Sequence, residues 1–304
     1  MVASALHALV AQSIDYAGLY PPAKLDLEPA LRNQADYVRS TNAWMLNSFV
    51  LPVGQFKAAG EFLSLFDRSH PLCISALGPK TDAASPFLDA LEEAAMAIDH
   101  FSRLNPDLIS ISQLEMPLPP SATLNLLNEA RSITGNLAVF WEAPADAAED
   151  TIDLLAEHNY NRSETPFGYK LRTGGVTADA FPTSLQVARA LVAPAKHQLP
   201  IKFTAGLHHP IRQFRDEVNA KMHGFLNVLG AAVLAAEHRW SVEQTEEMLD
   251  DEKPASFFFD DQMFAWRDWK IETKRIELRR RFIASFGSCS FDEPRDDLRA
   301  LGLL

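Results

Sequence analysis

The sequence has no run of apolar residues long enough to cross a lipid bilayer. Its longest apolar stretches, such as Phe225 to Ala236, fall short of the about 20 residues that a membrane helix needs. The first residues, Met1–Ser13, also lack the basic segment that opens a secretory signal peptide. We therefore expect a cytoplasmic protein that has no membrane partner and is not exported.

Basic residues and cysteines are both scarce. The chain has 28 Lys and Arg residues against 40 Asp and Glu residues, which gives a net charge of −12. Such a surface repels polyanions, so we expect no nucleic-acid partner. The only cysteines, Cys73 and Cys289, indicate reduced thiols in a reducing compartment. Cys73 is interpreted as a buried residue that packs like a small hydrophobic side chain. A nucleophilic role for Cys289 is the less favoured alternative, because the sequence shows no histidine partner for it.

Familiar motifs for cofactors and metals are missing as well. No Gly-x-Gly-x-x-Gly follows the first predicted strand, and neither His-x-His nor His-Glu-x-x-His spacing occurs. We therefore expect no cofactor, with a bound metal ion as an open alternative. The 304 residues are 47% hydrophobic and 22% charged, a composition typical of a globular protein, and we predict one domain spanning residues 1–304.

What the sequence does contain is a regular alternation of short β-rich runs with longer helical patterns. The predicted strands are Trp44–Pro52, Leu72–Leu77, Leu108–Leu114, Leu137–Glu142, Gly168–Arg172 and Ile201–Thr204. Helical patterns between them cover Phe56–Phe66, Pro86–Arg103, Ala122–Ile133, Ala147–His158 and Thr183–His197. This order predicts a parallel sheet that is covered by helices.

We predict an α/β fold of the TIM-like (β/α) barrel type rather than an open doubly wound sheet. Polar residues gather at the ends of several different strands, which is how barrel enzymes build their sites. Strands seven and eight cannot be assigned, so the barrel is either complete or incomplete and modified after the sixth strand. Residues 1–42 are predicted to form an N-terminal cap, 43–240 the core β/α units, and 241–304 a C-terminal helical extension with a charged helix from Asp268 to Phe286.

Two neighbouring predicted strands carry cations at alternate positions. Lys170 and Arg172 alternate with apolar residues in one strand, and Lys202 does so in the next. Because side chains alternate between the two faces of a strand, these cations should point toward the barrel axis. By the same alternation, Glu142 should also point toward the axis from its own strand. Charges buried without partners are costly, so the sequence predicts either a bound anion or a structural Glu-Lys-Arg network.

The loops after these strands supply further candidates. Gly174 and Gly175 follow Arg172 directly, and their amides can turn toward an anion, unless they form an ordinary turn. His208 and His209 follow the strand of Lys202. Histidine suits proton transfer near neutral pH, so we predict that one of the two is an acid or base and the other a structural hydrogen bonder.

A second set of candidates lies further along the chain or in other loops. Arg212 is predicted to contribute to the anion site, together with His223 and Asn227, which stand one helical turn apart and can share a face. Glu115 and Asp15 are carboxylates for which we favour the interpretation of solvated loop acids.

Several blocks of the chain resemble a family of bacterial proteins of unassigned function. These blocks are Asp15–Ala23, Lys170–Gly175, Thr204–Pro210, His223–Asn227 and Gly287–Pro294. The resemblance brings no activity with it, but it implies that the blocks form one unit.

Lys170 and Lys202 also resemble the paired lysines of Schiff-base aldolases that act on sugar phosphates, such as deoxyribose-phosphate aldolase. Each lysine is followed by a turn that contains Thr and Gly. In that family lysines on neighbouring barrel strands form an imine with the substrate and lower the pKa of the nucleophile. A fainter likeness, to phosphoribosyl-transferring barrels of the quinolinate type, covers only a barrel lined by Lys and Arg.

We therefore predict an enzyme that acts on a small anionic metabolite, phosphate- or carboxylate-bearing, by aldolase or lyase chemistry. Lys202 would form the imine or act electrostatically, and Glu142 with His208 or His209 would move protons. Lys202→Met is expected to abolish turnover while preserving the fold. The alternatives are a metal-dependent lyase or hydrolase that uses the histidines, including His223, and a non-catalytic barrel that binds a metabolite. Assembly into a homo-oligomer stays open.

Overall fold

The computed structural model describes residues 2–81 and 83–304. The strands in chain order are β1 (Ile14–Tyr16), β2 (Leu46–Pro52), β3 (Leu72–Leu77), β4 (Ile109–Pro117), β5 (Val139–Ala143), β6 (Gly168–Arg172), β7 (Ile201–Thr204), β8 (Gln213–Arg215), β9 (Ala220–Met222), β10 (Phe257–Phe259), β11 (Met263–Trp266), β12 (Trp269–Glu272) and β13 (Ile283–Ser288). The helices are α1 (Ser4–Val10), α2 (Leu27–Tyr37), α3 (Phe56–Gly60), α4 (Ala84–Leu104), α5 (Leu124–Thr134), α6 (Ala148–Asn159), α7 (Ser184–His197), α8 (Phe225–His238), α9 (Val242–Leu249), α10 (Thr273–Arg280) and α11 (Asp292–Ala300).

Eight parallel strands close into a barrel in the order β1-β13-β7-β6-β5-β4-β3-β2. The predicted α/β barrel is therefore confirmed, and strands β2 to β7 correspond to the six strands that the alternating pattern indicates. Helices α4 to α8 pack against their neighbours in sequence order, as expected for an outer layer of crossover helices.

The sequence left the completeness of the barrel open, and the structure shows that the barrel is closed. β1 pairs with β13, with Ile14 opposite Phe286 and Asp15 opposite Gly287, and β13 in turn pairs with β7. β1 falls within the predicted N-terminal cap. It escapes pattern recognition because it has three residues and its central one is an aspartate.

The predicted charged helix from Asp268 to Phe286 is wrong. Its first part is strand β12, helix α10 ends at Arg280, and the residues that follow form barrel strand β13. Phe286 is fully buried, and its ring stacks on Phe225 of α8 with 5.3 Å between centroids. Pairing with β1 and β7 and this packing outweigh the helical pattern, as tertiary contacts often outweigh local propensity.

The start of the outer helices follows from capping residues in the sequence. Thr183 accepts a hydrogen bond from the backbone N–H of Gln186, whose side chain accepts one from the backbone of Thr183, and helix α7 begins there. Ser241 and Gln244 make the same capping box at the start of α9. Each box satisfies two backbone donors that a helix end leaves without partners.

The remaining strands lie outside the barrel. β10, β11 and β12 form an antiparallel sheet. Helix α1 packs against this sheet and against α10, and the Ser4 hydroxyl donates a 2.8 Å hydrogen bond to Asp261. Within residues 2–81 and 83–304, no helix combines the length and the apolar character that crossing a membrane would need.

Candidate functional site

Acidic and basic side chains alternate in a chain of contacts across the barrel interior. In order, its members are Asp15 on β1, Lys202 on β7, Glu115 on β4, Lys170 on β6, Glu142 on β5 and Arg172 on β6. We call this set the ionic chain. Its three carboxylates balance its three cations, so the cations that the sequence left without partners are paired within the protein.

The lysines of the ionic chain each lie between two carboxylates. Lys202 Nζ contacts Asp15 Oδ2 and lies 2.6 Å from Glu115 Oε1. Lys170 Nζ lies 2.8 Å from Glu115 Oε2 and 2.8 Å from Glu142 Oε2. The sheet register sets this arrangement, because Glu142 pairs with Lys170 and Lys170 pairs with Lys202 on adjacent strands.

Glu115 lies at the centre of the ionic chain, and both of its oxygens are occupied. The Ser75 hydroxyl donates to the same oxygen that Lys202 contacts. Burial alone would raise the pKa of Glu115, but Lys170 and Lys202 outweigh burial and lower that pKa to about 2. Burial would lower the pKa of Lys170, and Glu115 with Glu142 instead raise it above its usual value.

Asp15 is fully buried and held by two neighbours besides Lys202. Asn47 Nδ2 donates to Oδ1 over 2.6 Å, and the Ser285 hydroxyl donates to Oδ2. The interpretation of Asp15 and Glu115 as solvated loop acids is therefore corrected. A signal was present in the sequence, because Asp15 stands between Ile14 and Tyr16 as Lys202 stands between Ile201 and Phe203.

A cavity of about 500 Å³ opens onto the ionic chain at the C-terminal ends of the barrel strands. Its charged lining residues are Lys80, Glu115, Glu142, Lys170, Arg172, Lys202 and His208. Tyr20, Pro21 and Pro22, from the loop after β1, form part of its wall. Burial raises the pKa of Tyr20 to about 12, so its hydroxyl is protonated at neutral pH.

Arg172 and Gly175 lie at this cavity, whereas Gly174 serves packing. The Arg172 side chain is 54% exposed, and its Nε lies 3.5 Å from Glu142 Oε1. A Cβ on Gly174 would come within 2.5 Å of the Phe181 ring and 2.8 Å of Gly206 Cα. Gly174 is thus explained by the close approach of two loops, and Gly175 is the glycine that lines the cavity.

His208 and His209 separate, as adjacent residues in a loop usually do. His208 lines the cavity, and its Nδ1 lies 3.0 Å from Glu293 Oε2 and 3.8 Å from Cys289 Sγ. Burial opposes the charged imidazole, but Cys289 and Glu293 raise the pKa of His208 to about 9. His209 instead pairs with Asp297 at 2.6 Å, outside the cavity lining.

Arg212, His223 and Asn227 are not brought to the cavity, which corrects their assignment to the anion site. His223 Nε2 donates to the Pro182 carbonyl, and its Nδ1 accepts from Arg212. Burial lowers the pKa of His223 to about 4, so the ring is neutral. Asn227 accepts from the backbone of Arg212 and donates to the carbonyls of Met248 and Asp251. These residues satisfy polar groups around the buried start of α8.

The ligand set proposed for a metal does not come together either. His223 is engaged elsewhere, and His209 lies outside the cavity that His208 and Glu142 line. Across the residues that the structure describes, no group of three or more His, Cys, Asp and Glu side chains is arranged to hold a metal ion.

Comparisons with known proteins assign no family to the chain. No family model matches the chain, and no curated protein matches it. A malate synthase of Haloferax volcanii, solved as a pyruvate and acetyl-CoA ternary complex, has a TM-score of 0.45 and 12% identity, over 97% of this chain and 76% of that one. A monomeric dihydrodipicolinate synthase variant has a TM-score of 0.39 and 11% identity, over 80% of this chain and 79% of that one. With TM-scores below 0.5 and identities this low, neither structure carries a conclusion about this chain.

Proposed function

We propose that the protein is a lyase of the aldolase type that acts on a small anionic carbonyl compound. One observation carries the proposal: Lys170 and Lys202 are both nearly inaccessible, each lies between two carboxylates, and both line a cavity at the C-terminal ends of the strands. Burying ion pairs costs desolvation that an apolar core would avoid. Their concentration at the end of the barrel where barrel enzymes hold their sites supports a catalytic role.

Lys202 is the proposed nucleophile. Its ammonium group can pass a proton to Asp15, which is within hydrogen-bond distance, and this transfer replaces two charges by two neutral groups. The free amine then attacks the carbonyl carbon, and loss of water leaves an iminium that accepts electrons from the neighbouring C–C bond as that bond breaks. Asp15 is suited to hold the proton because Asn47 and Ser285 fix its position.

Lys170 and Glu142 have different parts in this scheme. Lys170 stays protonated because Glu115 and Glu142 raise its pKa, so it acts as a fixed positive charge beside the reacting centre. Glu142 is 20% exposed and lines the cavity, and it is therefore the carboxylate that can take a proton from the bound compound.

Arg172 is the proposed anchor for the anionic group. Half of its side chain is exposed, and among the described residues its only ion pair is the 3.5 Å contact with Glu142. The two terminal nitrogens of its guanidinium group are thus free to bind a carboxylate or phosphate in the bidentate manner that arginine favours.

The balance of the ionic chain also supports a second candidate, a non-catalytic barrel that binds an anionic metabolite. Every charged side chain of the ionic chain already has a partner within the protein. A binding protein needs no free lysine, and Arg172 alone would then recognise the ligand.

Trapping with borohydride distinguishes the two candidates. The whole protein is incubated with small carboxylated or phosphorylated aldehydes and ketones, reduced with borohydride, and digested for peptide mass spectrometry. We expect a permanent mass increase on the peptide that contains Lys202. Lys202→Arg keeps the positive charge but removes the primary amine, so it should abolish the adduct. An adduct on Lys170 would reassign the nucleophile, and binding of a compound without any adduct would favour the non-catalytic barrel.

A further inference from the structure

Cys289 has the histidine partner that its sequence surroundings did not reveal. Its Sγ lies 3.8 Å from Nδ1 of His208, and Glu293 Oε2 lies 3.0 Å from the same nitrogen. His208 follows β7, Cys289 follows β13, and Glu293 lies in the first turn of α11. Separate elements therefore converge on this trio next to the ionic chain, and the lysine chemistry does not account for it.

The surroundings of the trio distinguish it from a packed cysteine and a structural histidine. Cys289 and His208 both line the cavity. Within the described part of the chain, Nε2 of His208 makes no hydrogen bond to the protein. Glu293 and Cys289 both contact Nδ1, so Nε2 is left for a ligand.

The charge on His208 also suits a reactive thiol. With its pKa raised to about 9 by Cys289 and Glu293 against burial, His208 is an imidazolium at neutral pH. An imidazolium beside a thiol is the arrangement that cysteine enzymes use to keep the reactive thiolate. The other cysteine of the sequence is Cys73, and burial raises the pKa of its thiol.

We propose that Cys289 is a nucleophilic thiol of this cavity, paired with His208, that adds to the carbonyl carbon of a small anionic aldehyde or ketone. The thiol first passes its proton to His208, 3.8 Å away. The thiolate sulfur then forms the new S–C bond, the π electrons of the carbonyl move to its oxygen, and that oxygen takes the proton back from His208. The product is a thiohemiacetal or thiohemiketal, and the step needs no oxidant or reductant. The ligand class rests on the proposed function, whereas the thiol chemistry does not need Lys202.

Alkylation of the whole protein tests this inference, with Cys73 as the internal control. Iodoacetamide is added at about neutral pH, and the rate at each cysteine is followed by peptide mass spectrometry. Cys289 is 8% exposed and Cys73 is more exposed, so access alone predicts faster alkylation of Cys73. We expect the reverse, with Cys289 at least about tenfold faster. A rate at Cys289 equal to or below that at Cys73 would overturn the proposal.

Variants and a charged reagent sharpen the result. His208→Asn should slow alkylation of Cys289 about tenfold and leave the Cys73 rate unchanged. If that variant does not fold, the wild-type protein still decides: the cations of the cavity should raise the iodoacetate-to-iodoacetamide rate ratio at Cys289 above that at Cys73. Equal ratios would count against the proposal. Lys202→Arg should keep rapid alkylation of Cys289 even if the borohydride experiment finds no imine, which separates the two hypotheses.

Discussion

Asp15 and Lys202 form a buried ion pair although 187 residues separate them in the chain. The side chain of Asp15 is 0% exposed and that of Lys202 is 1% exposed. Strand β13 lies between their strands in the barrel order, and its residue Ser285 also donates to Asp15. The ion pair therefore joins β1 to β7, and the bond from Ser285 adds β13, the last strand of the barrel. Lys202 thus has a structural role as well as being the candidate nucleophile.

Lys202→Met should lower the free energy of unfolding by about 3–5 kcal/mol, because it leaves buried carboxylates without their partner. This revises the expectation from the sequence that the substitution preserves the fold. Adding Asp15→Asn removes one uncompensated charge and should recover part of the loss. Urea unfolding of both single variants and the double variant gives the coupling energy, and purely additive effects would mean that the ion pair is not coupled.

Acid should destabilise the protein through Glu115. Its folded-state pKa of about 2 lies below its ordinary value of 4.5, so its contribution is complete above about pH 4.5 and is lost as the pH falls toward about 2. The full contribution is on the order of 3 kcal/mol. Glu115→Gln should flatten this part of the stability profile in urea unfolding, whereas Glu93→Gln on the exposed face of α4 should leave it unchanged.

His208 should titrate well above the ordinary pKa of histidine, 6.5. NMR of the imidazole signals is expected to give a pKa of about 9, and Glu293→Gln or Cys289→Ser should each lower it because each removes a group that raises it. The stability from this raised pKa is present below about pH 6.5 and is lost as the pH rises through about 9. A midpoint unchanged in both variants would show that neither neighbour holds the charge.

Arg172→Gln and Arg212→Gln form a matched pair for the anion site. Arg172 lines the cavity and is half exposed, so its substitution should weaken binding of the anionic ligand at least about tenfold and change stability by less than about 0.5 kcal/mol. Arg212 contacts His223 and Asp250 and is 14% exposed, so its substitution should reduce stability without changing affinity. Calorimetric titration and urea unfolding measure the two effects, and the opposite pattern would relocate the site.

The sequence predicted the central part of the fold because strands β2 to β7 each carry a local apolar pattern. It missed β1 and β13, which owe their conformation to pairing with distant strands rather than to their own residues. The end of α10 was also not recognised in the sequence. The helical pattern of its arginine-rich segment runs on into the short buried strand β13.

The site divides in the same way. On some strands, the alternation of polar and apolar residues in the sequence shows which side chains face the barrel interior. Four site residues lie on such strands, and all four line the cavity: Lys170, Arg172, Lys202 and Glu142. Glu115 was interpreted as a loop acid because the predicted strand ends at Leu114, whereas β4 continues to Pro117.

Strand pairing across the closure of the barrel has a consequence for biosynthesis. The bond from Ser285 to Asp15 spans 270 residues, so it can form only after the segment up to Ser285 has left the ribosome. Until then β1 and β7 each present an unpaired edge, and the entropy of so large a loop opposes their early association. A nascent chain interrupted before Ile283 would lack both the closed barrel and the full support of Asp15. Closure of the barrel and full support of Asp15 thus depend on the same late strand, β13.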